Sequence, residues 1–472
     1  MPLPMFEKTR HPREAWLPLV AGWCWLGWGS AEGGVGFFLT VLPGTLLLSG
    51  GTAMLLLPGD ARTTHFTALG AFVGALLALP AALVVGIGTG LVLFVLAAAS
   101  AIAAGASALR LEPNTDEVPE PALGPLLHLQ VAVDEALLAT MMPALPLPKG
   151  GEFARIAMEA EASREFLRAR GWLESPADYH LDPPKLDDPR IHRSETRGVS
   201  YEHVTFESGY EPHEGEPGRE RWLGYAPNRS VHAWLLRHPE EGRPWLVAVH
   251  GYQMGWPLID LLAFDPSILR DRLGMNLLLP VLPLHGPRKI GRRSGDGYLR
   301  GDIVDSQHAV AQAMWDIRRL LSWVRASTDA PIGTLGYSLG GYTAALLAAI
   351  DADLACVIAG IPATDFTRLF YRHGPPIERR GAEAAGANED SMREALRVVS
   401  PLDLVPRVPH ERRYVFGAVA DRLVPPDQVR DLWLHWDRPR IEWYQGAHVT
   451  FRAHPKVQRF VDEALRESGL AR

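Results

Sequence analysis

The chain has 472 residues, of which 47% are hydrophobic and 21% charged, and its net charge is −7. That length exceeds one ordinary domain, and the composition excludes both a disordered and a fibrous chain. The acidic balance argues against a nucleic-acid partner, and two cysteines, Cys24 and Cys356, exclude a disulfide scaffold or a cysteine-rich zinc site.

The charge is unevenly spread. From Ala15 to Leu109 only Glu32, Asp60 and Arg62 carry one. Thr63 to Leu109 is uncharged, a run too long for one membrane-crossing helix and right for two. Glycine is dense at Gly86-Ile87-Gly88-Thr89-Gly90, where the run should break. We therefore read residues 1–110 as a membrane region with spans near 35–57, 66–85 and 91–109. Pro43-Gly44 and Ser49-Gly50-Gly51 make the first span the one expected to be broken or re-entrant. Lys8, Arg10 and Arg13, followed by Trp16, Trp23, Trp25 and Trp28, read as a cytoplasmic flank and an interfacial belt. The competing reading of this start is a signal peptide, which Pro18 and the tryptophans interrupt. Three spans place the C-terminal part outside the cytoplasm; a fourth, tryptophan-rich crossing reverses that.

Residues 111–230 read as a helical and extended linker region. Leu123 to Met142 is apolar enough for a helix, and Phe153, Ile156, Ala157, Ala160 and Leu167 recur at helical spacing. Ser175 to Arg190, rich in proline and aspartate, reads as extended.

From 231 to 472 strand and helix alternate. Strands are predicted at 231–236, 245–249, 276–281, 332–335, 354–361, 414–419 and 441–444. The clearest helices are at 303–324, 342–350 and 457–467. This alternation predicts a mostly parallel sheet covered by helices on both faces, with the chemistry at the carboxyl ends of its strands.

The sharpest motif is Gly336-Tyr337-Ser338-Leu339-Gly340, placed after a strand and before a helix that opens on small residues. A serine in such a strained turn projects its hydroxyl from the sheet, and the flanking glycines let strand and helix approach. Two further motifs follow in order. Asp421 lies after the strand 414–419 in Ala420-Asp421-Arg422-Leu423-Val424-Pro425-Pro426. His448 lies after the strand 441–444 in Gln445-Gly446-Ala447-His448. In this order the chain resembles the α/β-hydrolase superfamily over roughly 230–470, nearer its dienelactone-hydrolase-like and prolyl-oligopeptidase-like branches. The resemblance implies an α/β-hydrolase fold with a small cap near 362–400, and a catalytic set of Ser338, Asp421 and His448. It also implies an oxyanion hole from the N–H groups of Leu339 and Tyr252, with Gly251 the next choice for the second donor.

Chemistry gives those residues their roles. A serine hydroxyl is a weak nucleophile until a histidine takes its proton, and the aspartate fixes the imidazole tautomer and stabilises the imidazolium. Asp427 and Asp403 are the alternative acids. His250 is expected to prop its loop. Arg288, Arg292 and Arg293 form a basic loop, either solvated or holding an anionic group. Phe366, Leu369, Phe370 and Tyr371 either line a pocket or form the core of the cap. No metal constellation, P-loop or dinucleotide motif is present, so no cofactor is expected. The sequence thus reads as a membrane-anchored serine hydrolase acting on a small-molecule or lipid acyl substrate. An acyltransferase using the same triad, and a non-catalytic hydrolase-like membrane scaffold, are the alternatives.

Overall fold

The computed structural model describes residues 13–141, 151–298 and 302–471; Lys8, Arg10 and the predicted helix end at Met142 lie outside the described residues. The chain divides into two compact units. The first comprises Met1–Ala144, Ala418–Pro426 and Trp443–His454; the second comprises Leu145–Gly417, Asp427–Glu442 and Pro455–Arg472.

The first unit is helical: α1 (Trp16–Glu32), α2 (Gly34–Leu56), α3 (Arg62–Val85), α4 (Ile87–Arg110) and α5 (Pro125–Met141). Three of them, α2, α3 and α4, are long and apolar enough to cross a membrane. The glycine-dense break falls at Gly86, whose positive φ of 89° lets α3 end and α4 begin without a longer loop. Contrary to expectation, α2 runs unbroken through Pro43 and its glycines. Gly44 and Gly50 are buried against Leu26 of α1 and Thr67 of α3, so this segment packs closely on its neighbours.

Packing in this bundle is inverted relative to a water-soluble protein. Small residues face inward: Ala68, Ala71, Ala97, Ala101 and Ala104 are buried. A Cβ added at Gly90 would stand 2.3 Å from that of Ala82, and one at Gly22 would stand 2.5 Å from Leu48 N. Large apolar side chains face outward, with Leu76, Leu79, Leu83 and Ile87 at 75%, 80%, 86% and 80% exposure. Close backbone approach at small residues is how helices associate when their surroundings are as apolar as leucine itself.

The second unit is built on a nine-stranded sheet: β1 (Arg190–Thr196), β2 (Val199–Glu207), β3 (Ser230–Leu236), β4 (Trp245–Val249), β5 (Asn276–Pro280), β6 (Ile332–Tyr337), β7 (Val357–Gly360), β8 (Arg413–Ala418) and β9 (Arg440–Tyr444). Their order is β1-β2-β3-β5-β4-β6-β7-β8-β9. The pairs β1–β2, β2–β3 and β3–β5 are antiparallel, and β5–β4, β4–β6, β6–β7 and β7–β8 are parallel. Every residue of β4, β5 and β7 is buried; successive side chains alternate sides, so both faces of the sheet are covered. The remaining helices are α6 (Glu152–Ala169), α7 (Arg219–Leu223), α8 (Pro257–Ala263), α9 (Ile303–Ser327), α10 (Leu339–Ile350), α11 (Phe366–His373), α12 (Pro376–Ala384), α13 (Glu389–Ala395), α14 (Pro426–His435) and α15 (Pro455–Glu467). This is an α/β-hydrolase fold, in which β4 and β5 exchange places and the loop after β6 leads straight into α10.

Two strands escaped the sequence reading. The stretch read as linker contains β1 and β2, joined by a two-residue turn at Arg197 and Gly198 with φ of 48° and 78°. Positive φ at both positions is the turn that matches strand twist. The strand β1 is an exposed edge composed largely of polar residues, so it shows no apolar alternation to read.

Candidate active site

Ser338 lies between β6 and α10 with φ 58° and ψ −116°, a conformation rarely held by a residue with a side chain. Backbone packs closely around it. A Cβ at Gly336 would stand 2.0 Å from Gly340 O, one at Gly340 would stand 1.9 Å from Val249 O, and one at Gly341 would stand 2.7 Å from Gly360 O. Main-chain bonds lock the turn: Ser338 N–H donates to Gly360 O at 2.9 Å, and Ser338 O accepts from Tyr342 N–H at 3.0 Å. The serine itself is half-buried.

The two named oxyanion donors belong to the same unit as Ser338. Leu339 opens α10 directly after the serine. Tyr252 lies in the turn after β4, beside Gly251, where an added Cβ would come within 3.6 Å of Ser338 Cβ. The Gly251 N–H already points at Met254 Sδ, 3.3 Å away, which favours Tyr252 over Gly251. His250 props the loops as expected: its Nδ1 lies 2.8 Å from Gly251 O, and its Nε2 accepts from Leu282 N–H at 3.1 Å. Burial pushes its pKa down, which suits a neutral imidazole with Nδ1 protonated.

Asp421 and His448 are brought together in the first unit. His448 Nδ1 stands 2.6 Å from Asp421 Oδ2, and both residues are buried. Asp421 Oδ1 accepts from Val424 N–H at 2.8 Å, so both carboxylate oxygens are used. Burial disfavours the imidazolium, but the Asp421 charge and hydrogen bond, with a further contribution from Asp134, outweigh it. The His448 pKa is therefore raised above 6.5. The alternative acids are committed elsewhere. Asp427 pairs with Arg368 at 2.7 Å, and Asp403 with Arg397 at 3.2 Å.

The loops that carry this pair are held by the helical bundle. Val419, Ala420 and Ala447 form one apolar cluster with Ala108 of α4 and with Leu127 and Val131 of α5. Gln445 accepts from Ala122 N–H at 2.8 Å and donates to Glu120 O at 3.1 Å. Arg422, next to Asp421, is buried and ion-paired with Glu112 and Glu135; its Nε lies 2.7 Å from Glu135. Asp134 and Glu135 are the residues that sequence reasoning missed. They are the sole acidic pair in the otherwise apolar stretch of α5, which was the available signal.

Other expectations resolve as packing. Arg288 is buried, paired with Asp316 at 2.8 Å and bonded to the carbonyls of Val281 and Asn228. It therefore cannot hold an anionic ligand, whereas Arg292 and Arg293 are exposed. Phe366 stacks on Tyr342 of α10 with ring centroids 4.2 Å apart.

No family model matches the chain. Two curated relatives do. Uncharacterized protein MT2702 of Mycobacterium tuberculosis is 43% identical over 346 residues, which cover 73% of this chain and 83% of that protein. Uncharacterized protein Rv2627c of the same organism is 42% identical over the same shares. Among solved structures, an acetyl xylan esterase from a Paenibacillus species matches with TM-score 0.44 at 18% identity, covering 70% of this chain and 98% of its own. Acetyl xylan esterase 1 from a Thermoanaerobacterium species matches with TM-score 0.41 at 15% identity, covering 62% and 93%.

Proposed function

This chain belongs to one family with the two mycobacterial proteins, and we propose that it is a membrane-anchored serine hydrolase cleaving a carboxylic ester or related acyl bond through an acyl-enzyme on Ser338. The single observation that carries the reading is the buried 2.6 Å pair of His448 and Asp421, found in a chain that also holds Ser338 in a strained turn.

In this reaction Ser338 Oγ attacks the acyl carbon while His448 Nε2 takes its proton. Asp421 holds Nδ1–H, which fixes the tautomer and stabilises the imidazolium. The tetrahedral oxyanion accepts hydrogen bonds from Leu339 and Tyr252 N–H, each donor being worth about 2.7–4 kcal/mol of barrier. The imidazolium then protonates the leaving alkoxide. Water, deprotonated by the same histidine, releases the acid and restores Ser338.

The bundle supports a membrane setting, because its outward face is apolar and its interior is small-residue packing. For the side, we propose the reading in which α1 is a fourth crossing. Glu14, just before α1, is ion-paired with Arg110, the last residue of α4. An even number of antiparallel crossings would bring those two ends together, and α1, shorter than the other three at 17 residues, would be the fourth. The chain after Arg110 then lies on the side of Arg13, which the positive-inside rule makes cytoplasmic. Glu112, two residues past α4, pairs with Arg422 beside Asp421. On that reading the acid loop lies at the bilayer surface, where an acyl lipid is the substrate at hand. Esters of longer chain should turn over faster than short ones, and faster than aminoacyl amides.

The deciding experiment is labelling of membranes bearing the full chain with a fluorophosphonate serine probe. Wild type should label and Ser338→Ala should not. Equal labelling of both would overturn the proposal.

A further inference from the structure

We infer that Asp134 of α5 is a positioning residue for the catalytic base and acid, holding the histidine loop and the aspartate loop in register through one carboxylate oxygen. The inference rests on the assignment of His448 and Asp421 proposed above.

Asp134 Oδ2 accepts the main-chain N–H of His448 at 2.9 Å and that of Arg422 at 3.0 Å. One acceptor thus joins the histidine itself to the residue after its aspartate. Both donors and the acceptor are buried, and Asp134 is fully so. Such bonds fix where two loops lie relative to each other; a water at the same place would leave that position free to vary. Among the described residues, Asp134 Oδ1 is buried without a hydrogen-bond partner.

The electrostatics agree with this geometry. Burial, then repulsion from Asp421, pushes the Asp134 carboxyl up to about 7, against the pull of His448 and the two N–H groups. When ionised, Asp134 adds to Asp421 in favouring the imidazolium. The groups facing this cluster are Asp421, His448, Arg422, Glu135 and the Tyr444 hydroxyl, which donates to Ala447 O at 2.9 Å. The adjacent Glu135 extends the support into the bundle. It bonds Arg422 Nε and the Thr64 hydroxyl, and lies 3.4 Å from His65 Nε2, at the start of α3. On this inference the helices do more than anchor the enzyme: α5 sets the distance between base and acid.

The test uses the full chain in detergent, with active sites counted by fluorophosphonate labelling so that turnover is expressed per intact site. Asp134→Asn keeps an acceptor oxygen for both N–H groups and removes the charge. It should retain turnover within a few-fold at high pH and move the acid limb of kcat/KM to lower pH. Asp134→Ala removes the acceptor and should lower kcat per site by 10- to 100-fold with KM little changed. A merely structural residue would reduce the number of active sites and leave kcat per site and the limb alone. Wild-type kcat per site in Asp134→Ala, or an unmoved limb in Asp134→Asn, would overturn the inference; the second variant decides if the first does not fold. Failure of the underlying reading looks different, because Ser338→Ala would then still label and turn over.

Discussion

His448 Nδ1 and Asp421 Oδ2 are 2.6 Å apart, on loops that follow consecutive strands, with both side chains removed from water. At that separation and burial the bond is charge-assisted whenever the imidazole is protonated.

The pH dependence of turnover follows from this pair. His448 acts as a base only when neutral, and its pKa is raised above 6.5. Activity should therefore be full at high pH and fall as pH drops through a limb lying above 6.5, tenfold per unit below it. Asp421→Asn removes the charge that raises the value and leaves burial, which lowers it. Its residual activity should show the limb displaced to lower pH. A kcat/KM profile of wild type whose limb lies below 6.5 contradicts the assignment.

Mutation of the three candidate acids separates them. Asp421→Asn should cost about 10³–10⁴ in kcat, because the imidazole loses its tautomer lock. Asp427→Asn and Asp403→Asn, whose carboxylates face Arg368 and Arg397, should stay within a few-fold of wild type. His448→Ala should approach Ser338→Ala in severity, and the double variant should be little worse than either, since the set works as a unit. A dead Asp427→Asn beside an active Asp421→Asn would reassign the acid.

Gly340→Ala should fail through stability. The new methyl would stand 1.9 Å from Val249 O, a backbone atom of the central strand, which cannot yield as a side chain can. Overpacking of this kind costs about 1–3 kcal/mol or more. Thermal melts of the purified variant should show the loss; an unchanged midpoint would mean that the elbow relaxes.

The full chain should sediment with membranes and resist extraction by salt or high pH. On sealed right-side-out cells, protease should leave the hydrolase unit intact and digest it only after lysis. Digestion of intact cells would show an odd number of crossings, with α1 lying at the surface.

Sequence alone made much of this protein legible, because strong local signals are hard to counterfeit. The uncharged run from Thr63 to Leu109 required two apolar helices, and α3 and α4 are those helices. The strained turn at Ser338 was legible because such a turn needs glycine at fixed offsets, and both glycines can be read directly. Weak periodicity concealed β1, whose polar edge has no face to bury. Arg288 reads from the sequence as part of a basic loop, solvated or holding an anion, whereas in the fold Asp316, 28 residues away in sequence, neutralises it at 2.8 Å. Least legible was the support of the loops that carry Asp421 and His448. Asp134 and Glu135 lie 287 or more residues before Arg422, and nothing local to α5 says which donors they meet. Hydrogen bonds between such distant segments exist only once the chain has folded. Sequence therefore determined the candidate chemistry and its carriers, whereas tertiary structure alone decided what holds them, because burial and partner identity are properties of the folded chain.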